Sequence, residues 1–237
     1  MNKERRLTIS NPAIGGSGYL TLAKMEADAA IVEGHHVAIH QCRGLAQAGG
    51  PLCMDVVIRE AEVVGAASHY IDYVNGFELC EAWRAVSTVH DFATTFPRGL
   101  TVVVDFLVVE PILVTAQRKG PRYPTREECI KNFEKRIRQE SDIRVLVYDF
   151  AKYGFPTILK GPFSFGVLVA DLHLRGNDAF IQLSRDAAVE GILMNVPGVK
   201  GKLDDEKRRN FNRYVFERGY EARIHCGWDE HVGIAYL

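Results

Sequence analysis

The sequence of 237 residues lacks several features, and each gap excludes a class of protein. No Cys-x-x-Cys pair occurs: Cys42, Cys53, Cys80, Cys129 and Cys226 are odd in number and far apart. A disulfide framework and a zinc knuckle are both excluded by that spacing, and free thiols packed as small hydrophobes fit a reducing cytoplasm. No charge of one sign dominates, since 29 Lys+Arg stand against 30 Asp+Glu. A nucleic-acid binder that works by displacing counterions is therefore not expected. No long hydrophobic run survives inspection. The most apolar stretch, Leu100 to Gln117, is broken by Asp105, Glu110 and Pro111, so a membrane span is not expected. The charged start, Met1-Asn2-Lys3-Glu4-Arg5-Arg6, carries no apolar leader core, which again points to the cytoplasm. Internal repeats and low-complexity tracts are also missing.

A chain of 26.5 kDa with 47% hydrophobic residues has enough apolar surface to bury about 72% of its extended area, so a cored globular fold is expected. Three helices are legible. Asn75 with Glu78 reads as the start of one, with Leu79, Trp83 and Val86 on a shared face and Pro97 as the stop. Thr125 with Glu128 forms a capping box before Ile130, Phe133 and Ile137. The third follows Asp204, buries Phe211, Tyr214 and Val215, and has Gly219 at its C-terminal cap. Pro51–Ala67 is ambiguous, with helical spacing at Val57, Ala61 and Val64 but many β-branched residues, and Pro51 at a first helical turn favours the helix.

Leu100–Val109 and Ile143–Phe150 read as buried strands. Hairpins are expected at Gly166–Leu174 with Ala179–Ser184 and at Arg223–Cys226 with His231–Tyr236, while Ala29–Ile39 is either a hairpin turning at Glu33-Gly34, which its mirrored apolar triplets favour, or a helix weakened by Gly34. The fold class that follows is α+β: a single domain over residues 1–237, with a mixed or mainly antiparallel sheet flanked by about three to five helices.

Four constellations carry candidate chemistry. Asp171 and His173 share one face if their segment is a strand, about 7 Å apart, and can act as an oriented base or hold a metal. In the last hairpin, Cys226 and His231 would lie about 5 Å apart, beside His225 and Glu230. His36 and His40 suit one metal ion only on a helix, and the strand alternative separates them. Asp105 stands in an apolar strand and must be paired, protonated or at a pocket mouth, with Glu110 close by.

These residues point to a small-molecule enzyme of hydrolase or lyase type. His173, Asp171, Asp105, Glu110, His231 and Cys226 are its acid–base candidates. His36, His173, His225 and His231 are the candidate ligands of a divalent metal such as zinc. The alternative is a non-catalytic homo-oligomeric scaffold subunit. Gly15-Gly16-Ser17-Gly18, after the short strand Leu7–Ser10, lacks both the P-loop lysine and the dinucleotide spacing and reads as a flexible turn.

Overall fold

The computed structural model describes residues 5–42, 51–61, 70–89, 91–110, 122–140, 142–176, 180–195, 205–227 and 233–237. A seven-stranded sheet runs in the order β2-β3-β1-β4-β5-β6-β7. Its strands are β1 (Arg6–Ile14), β2 (His36–Cys42), β3 (Pro51–Arg59), β4 (Tyr73–Gly76), β5 (Leu100–Asp105), β6 (Ile143–Tyr148) and β7 (Ile234–Tyr236). β3 is antiparallel to both β1 and β2, while β1, β4, β5, β6 and β7 are parallel neighbours in turn. The sheet is therefore mixed.

Strand alternation divides the core in two. Leu7, Ile9, Met54, Val56, Tyr73, Val103, Leu146 and Tyr148 face one layer, while Val74, Val102, Val104, Val145 and Val147 face the other. The first layer holds α1 (Tyr19–Val32), α5 (Lys160–Arg175), α6 (Arg185–Met194) and α7 (Asp205–His225). The second holds α2 (Leu79–Ser87), the short α3 (Phe92–Thr95) and α4 (Arg126–Gln139). Strands covered on both faces read as near-continuous apolar runs, which is why β5 and β6 were legible. Among the described residues there are seven helices, more than the three to five expected. None of them is long and apolar enough to cross a membrane.

The local signals fared unevenly. The Thr125–Glu128 capping box of α4 is present with both of its hydrogen bonds. α2 starts later than expected, because Glu78 is its cap and accepts from the Glu81 amide, while Asn75 lies within β4. In α7 Val215 is buried, but Phe211 and Tyr214 are exposed and Gly219 lies inside the helix.

Four segments change type. Residues 166–174 form the second half of helix α5, since a continuously apolar run gives no period that separates a buried helix from a buried strand. Pro51–Arg59 is a strand, where Val56, Val57 and Ile58 favour the pleated sheet over the helix start offered by Pro51. Residues 29–32 end helix α1, and Gly34 at φ +81° turns the chain into β2. Residues 223–225 close α7, which removes the first strand of the expected last hairpin. Residues 228–232 lie outside the described residues, so the proximity of Cys226 and His231 is not placed.

Candidate functional site

β1 and β4 are adjacent and parallel, but the helices that follow them pack on opposite faces, α1 on one and α2 on the other. Their carboxyl ends therefore diverge, and in open α/β sheets ligands bind in the crevice that such a reversal opens. A crevice of about 750 Å³ lies beside this point, a volume in the usual range for small-ligand sites. Gly16, Ser17 and Gly18 form one wall, and a second is Thr157–Leu159 with Gly161 and Pro162 at the start of α5. Phe77 follows β4, and Arg208, Phe211 and Asn212 of α7 close the far side.

Why the loop takes this shape is a matter of backbone. Gly16 and Gly18 have φ values of +93° and +90°, which side-chain-bearing residues rarely adopt. Gly18 is the N-cap of α1 and supplies no side-chain cap, and the first turn holds no acidic residue. An uncapped helix start with its positive dipole end faces the crevice, the arrangement that suits an anion. Lys24, exposed and without an ion-pair partner among the described residues, and Arg208, which also pairs with Asp205 at 3.8 Å, add positive charge to the lining. Met25, Phe77, Ile158, Leu159, Pro162 and Phe211 make the rest of it apolar. The described lining contains no carboxylate, histidine or cysteine. Its chemistry is that of binding an anion joined to an apolar body.

Beneath the crevice two buried polar groups fix the strand ends. Lys160, at the start of α5, reaches the Asp105 carboxylate at 2.5 Å and donates to the Phe77 carbonyl at 3.3 Å. Burial pushes the Asp105 carboxyl up, and the Lys160 ammonium and the Phe150 amide pull it back. Glu26 of α1 accepts from Asn11 of β1 at 2.8 Å and from Asn75 of β4 at 3.0 Å, and the Ser164 hydroxyl of α5 donates to Asn75 Oδ1.

The residues singled out from sequence are placed elsewhere. Asp171 is buried in α5, where it accepts from Tyr73 Oη at 2.8 Å and pairs with Arg223 at 2.8 Å. His173 lies two positions on, turned about 200° away by the helix, between Tyr220 Oη and the Leu183 carbonyl. Asp105 is locked to Lys160, and Glu110 is exposed beyond the end of β5. His36 is exposed on β2, and His225 and Cys226 lie at the end of α7. His231 is outside the described residues. None of the described candidates lines the crevice, and among the described residues no three His, Cys, Asp or Glu side chains gather as a metal-ligand set. Three residues of the Gly15–Gly18 turn, Gly16, Ser17 and Gly18, form the wall. The usable signal was position: a glycine turn between a strand and a helix.

A mixed sheet with helices on both faces, a glycine turn and a crevice at its switch point defines the class as α/β. The chain belongs to the pyruvate ferredoxin/flavodoxin oxidoreductase family, whose pattern matches residues 9–222. That membership overturns the expected hydrolase or lyase chemistry, since the family is one of oxidoreductases.

Solved structures share the fold. The gamma subunit of a keto/oxoacid ferredoxin oxidoreductase from Geobacter sulfurreducens is 21% identical with a TM-score of 0.55, over 92% of this chain and 97% of that one. A pyruvate oxidoreductase subunit from Thermotoga maritima is 16% identical with a TM-score of 0.51, over 92% and 96%. The 2-oxoglutarate:ferredoxin oxidoreductase of Magnetococcus marinus, with 2-oxoglutarate, coenzyme A and succinyl-CoA bound, is 16% identical with a TM-score of 0.60. This chain, aligned over 98% of its length, spans 33% of that longer one. No curated protein matches the sequence.

Proposed function

We propose that this chain is a gamma-type subunit of a 2-oxoacid:ferredoxin oxidoreductase and that its crevice holds coenzyme A. The observation that carries the reading is the lining itself: an uncapped helix start, Lys24 and Arg208 beside Met25, Phe77, Ile158 and Phe211. Coenzyme A has matching parts, with phosphates for the cationic wall and an extended, less polar arm for the apolar one. The family match over residues 9–222 supports the subunit role, and relatives occur both as separate subunits and as part of a longer chain.

The residues of this chain bind and orient. The Gly16–Gly18 backbone and the α1 amides meet a phosphate, Lys24 and Arg208 neutralise its charge, and Phe77 and Phe211 exclude water from the arm. With no carboxylate, histidine or cysteine among the described lining residues, this crevice is assigned binding, and the oxidation is assigned to partner subunits.

Calorimetric titration of the full chain with coenzyme A tests this. Lys24→Ala and Arg208→Ala should each weaken binding about tenfold, as loss of a charge-assisted contact does, and added salt should weaken the wild type. Absence of binding by the chain and by its assembled complex, or affinity unchanged in both variants, overturns it.

A further inference from the structure

Under the crevice lies a carboxyl group that binding does not use. Glu26 is fully buried on α1, between Met25, which lines the crevice, and Ala27. No cation meets it. β1 presents the Asn11 amide, β4 the Asn75 amide, and α5 the Ser164 hydroxyl behind Asn75. Tyr148 of β6 approaches Ser164 from the far side, and Asp105 and Lys160 are closed on each other. An ionised carboxylate with only two amide donors and no counter-charge is costly in such a place.

A neutral acid needs an acceptor for its proton, and the Asn11 amide offers one once its two ends are exchanged. Asn11 Oδ1 is buried without a hydrogen-bond partner among the described residues, while Asn11 Nδ2 stands 2.8 Å from Glu26 Oε2. Exchanging the two ends of that amide keeps its shape and sets an oxygen against Oε2, at the spacing of an O–H···O bond.

We infer that Glu26 is a positioning residue for the crevice: as the neutral acid it ties α1 to β1 and β4 beneath the ligand walls, and ionisation unties them. This rests on the reading of the crevice as a coenzyme A site. Burial also raises the Glu26 pKa to about 8, against which the two amides work, so the change falls in an accessible range. The second ionisation of a phosphate, near pH 6, is largely complete by pH 7, and the Glu26→Gln variant, facing the same ligand, carries any effect of the coenzyme A thiol ionising at higher pH.

Three measurements on the full chain test the inference. The infrared carbonyl band of a protonated carboxylic acid is expected at pH 7 and is lost in Glu26→Gln. Hydrogen exchange in residues 19–25 and 157–163, corrected for intrinsic rate, should accelerate in the wild type between pH 7 and 9.5 and stay level in Glu26→Gln. Coenzyme A affinity should fall about tenfold over that range in the wild type and remain flat in the variant. Glu26→Leu, an apolar side chain of similar size, gives the same flat profiles and stands in if the Gln variant does not fold. A missing acid band, or equal pH profiles in wild type and variants, overturns the inference while leaving coenzyme A binding intact. If coenzyme A fails to bind but the band and the exchange profile hold, the binding reading falls and the Glu26 device stands.

Discussion

Gly166 of α5 and Gly219 of α7 are where two helices meet backbone to backbone. A Cβ on Gly166 would collide with the Phe216 carbonyl, and one on Gly219 with the Phe163 carbonyl. Neither obstacle is a flexible side chain, so the helices would have to move apart. Gly219→Ala and Gly166→Ala should each destabilise by about 1–3 kcal/mol, the usual cost of overpacking. Each kilocalorie should lower the melting temperature by about 2–4 °C in a chain of this size. Thermal unfolding by circular dichroism checks this, and an unchanged midpoint would show that the helices are free to separate.

Gly219 also shows where sequence reading stops. A glycine near the end of an amphipathic pattern suggests a cap, but the helix continues to His225 because α5 requires a bare backbone at that point. Legibility followed locality throughout. The Thr125–Glu128 box and the doubly covered β5 and β6 announce themselves within a few residues. α5 was lost because 13 consecutive buried residues, Lys160–Leu172, offer no polar face to set a period. The crevice was lost for another reason: its cations, Lys24 and Arg208, are 184 positions apart in sequence and meet only through packing. Asn11, Glu26, Asn75 and Ser164 are likewise single polar residues in apolar surroundings, and each gains meaning only from the others.

The Asp171–Arg223 pair is internal scaffolding, and its removal should show as lost stability. Both side chains are at least 94% buried, and the second carboxylate oxygen is held by Tyr73 at 2.8 Å. Arg223→Met strands a buried carboxylate and should destabilise by about 3–5 kcal/mol in urea unfolding. Asp171→Leu combined with Arg223→Met should recover much of that loss, since the stranded charge is gone. A single variant as stable as wild type would show that the pair is solvated.

Lys160 differs because it serves two masters, Asp105 and the Phe77 carbonyl, at the crevice floor. Lys160→Met should cost about 3–5 kcal/mol by leaving Asp105 uncompensated, and that carboxyl should then take up a proton more readily. A double-mutant cycle with Asp105→Asn measures the coupling, and additive losses would rule out a direct pair.

Glu26 ties stability to pH with a definite sign. Its folded pKa of about 8 lies above the ordinary 4.5, so between these values the unfolded chain has shed a proton that the folded chain retains. Its stabilising contribution is whole below about pH 4.5, declines as pH rises toward 8, and is level beyond. The loss over the window is on the order of 5 kcal/mol by linkage. Glu26→Gln should remove this slope, and denaturant unfolding at pH 5, 7 and 9 compares the two chains. Parallel slopes would mean that the carboxyl titrates alike in both states.

Gly18 separates backbone strain from ligand contact. At φ +90° an alanine costs on the order of 1–3 kcal/mol whatever surrounds it. Its methyl would rest 3.9 Å from the Phe77 ring, inside the crevice. Gly176 provides the control: it also has positive φ, at +52°, but caps the C-terminus of α5. That end is about 24 Å along the helix from the crevice. Gly18→Ala should weaken coenzyme A binding by tenfold or more, because the strained turn relaxes and takes its amides with it. Gly176→Ala should lose comparable stability and bind normally. Equal affinities in the two variants would place the phosphate somewhere other than this turn, since the loop could then relax without the ligand noticing.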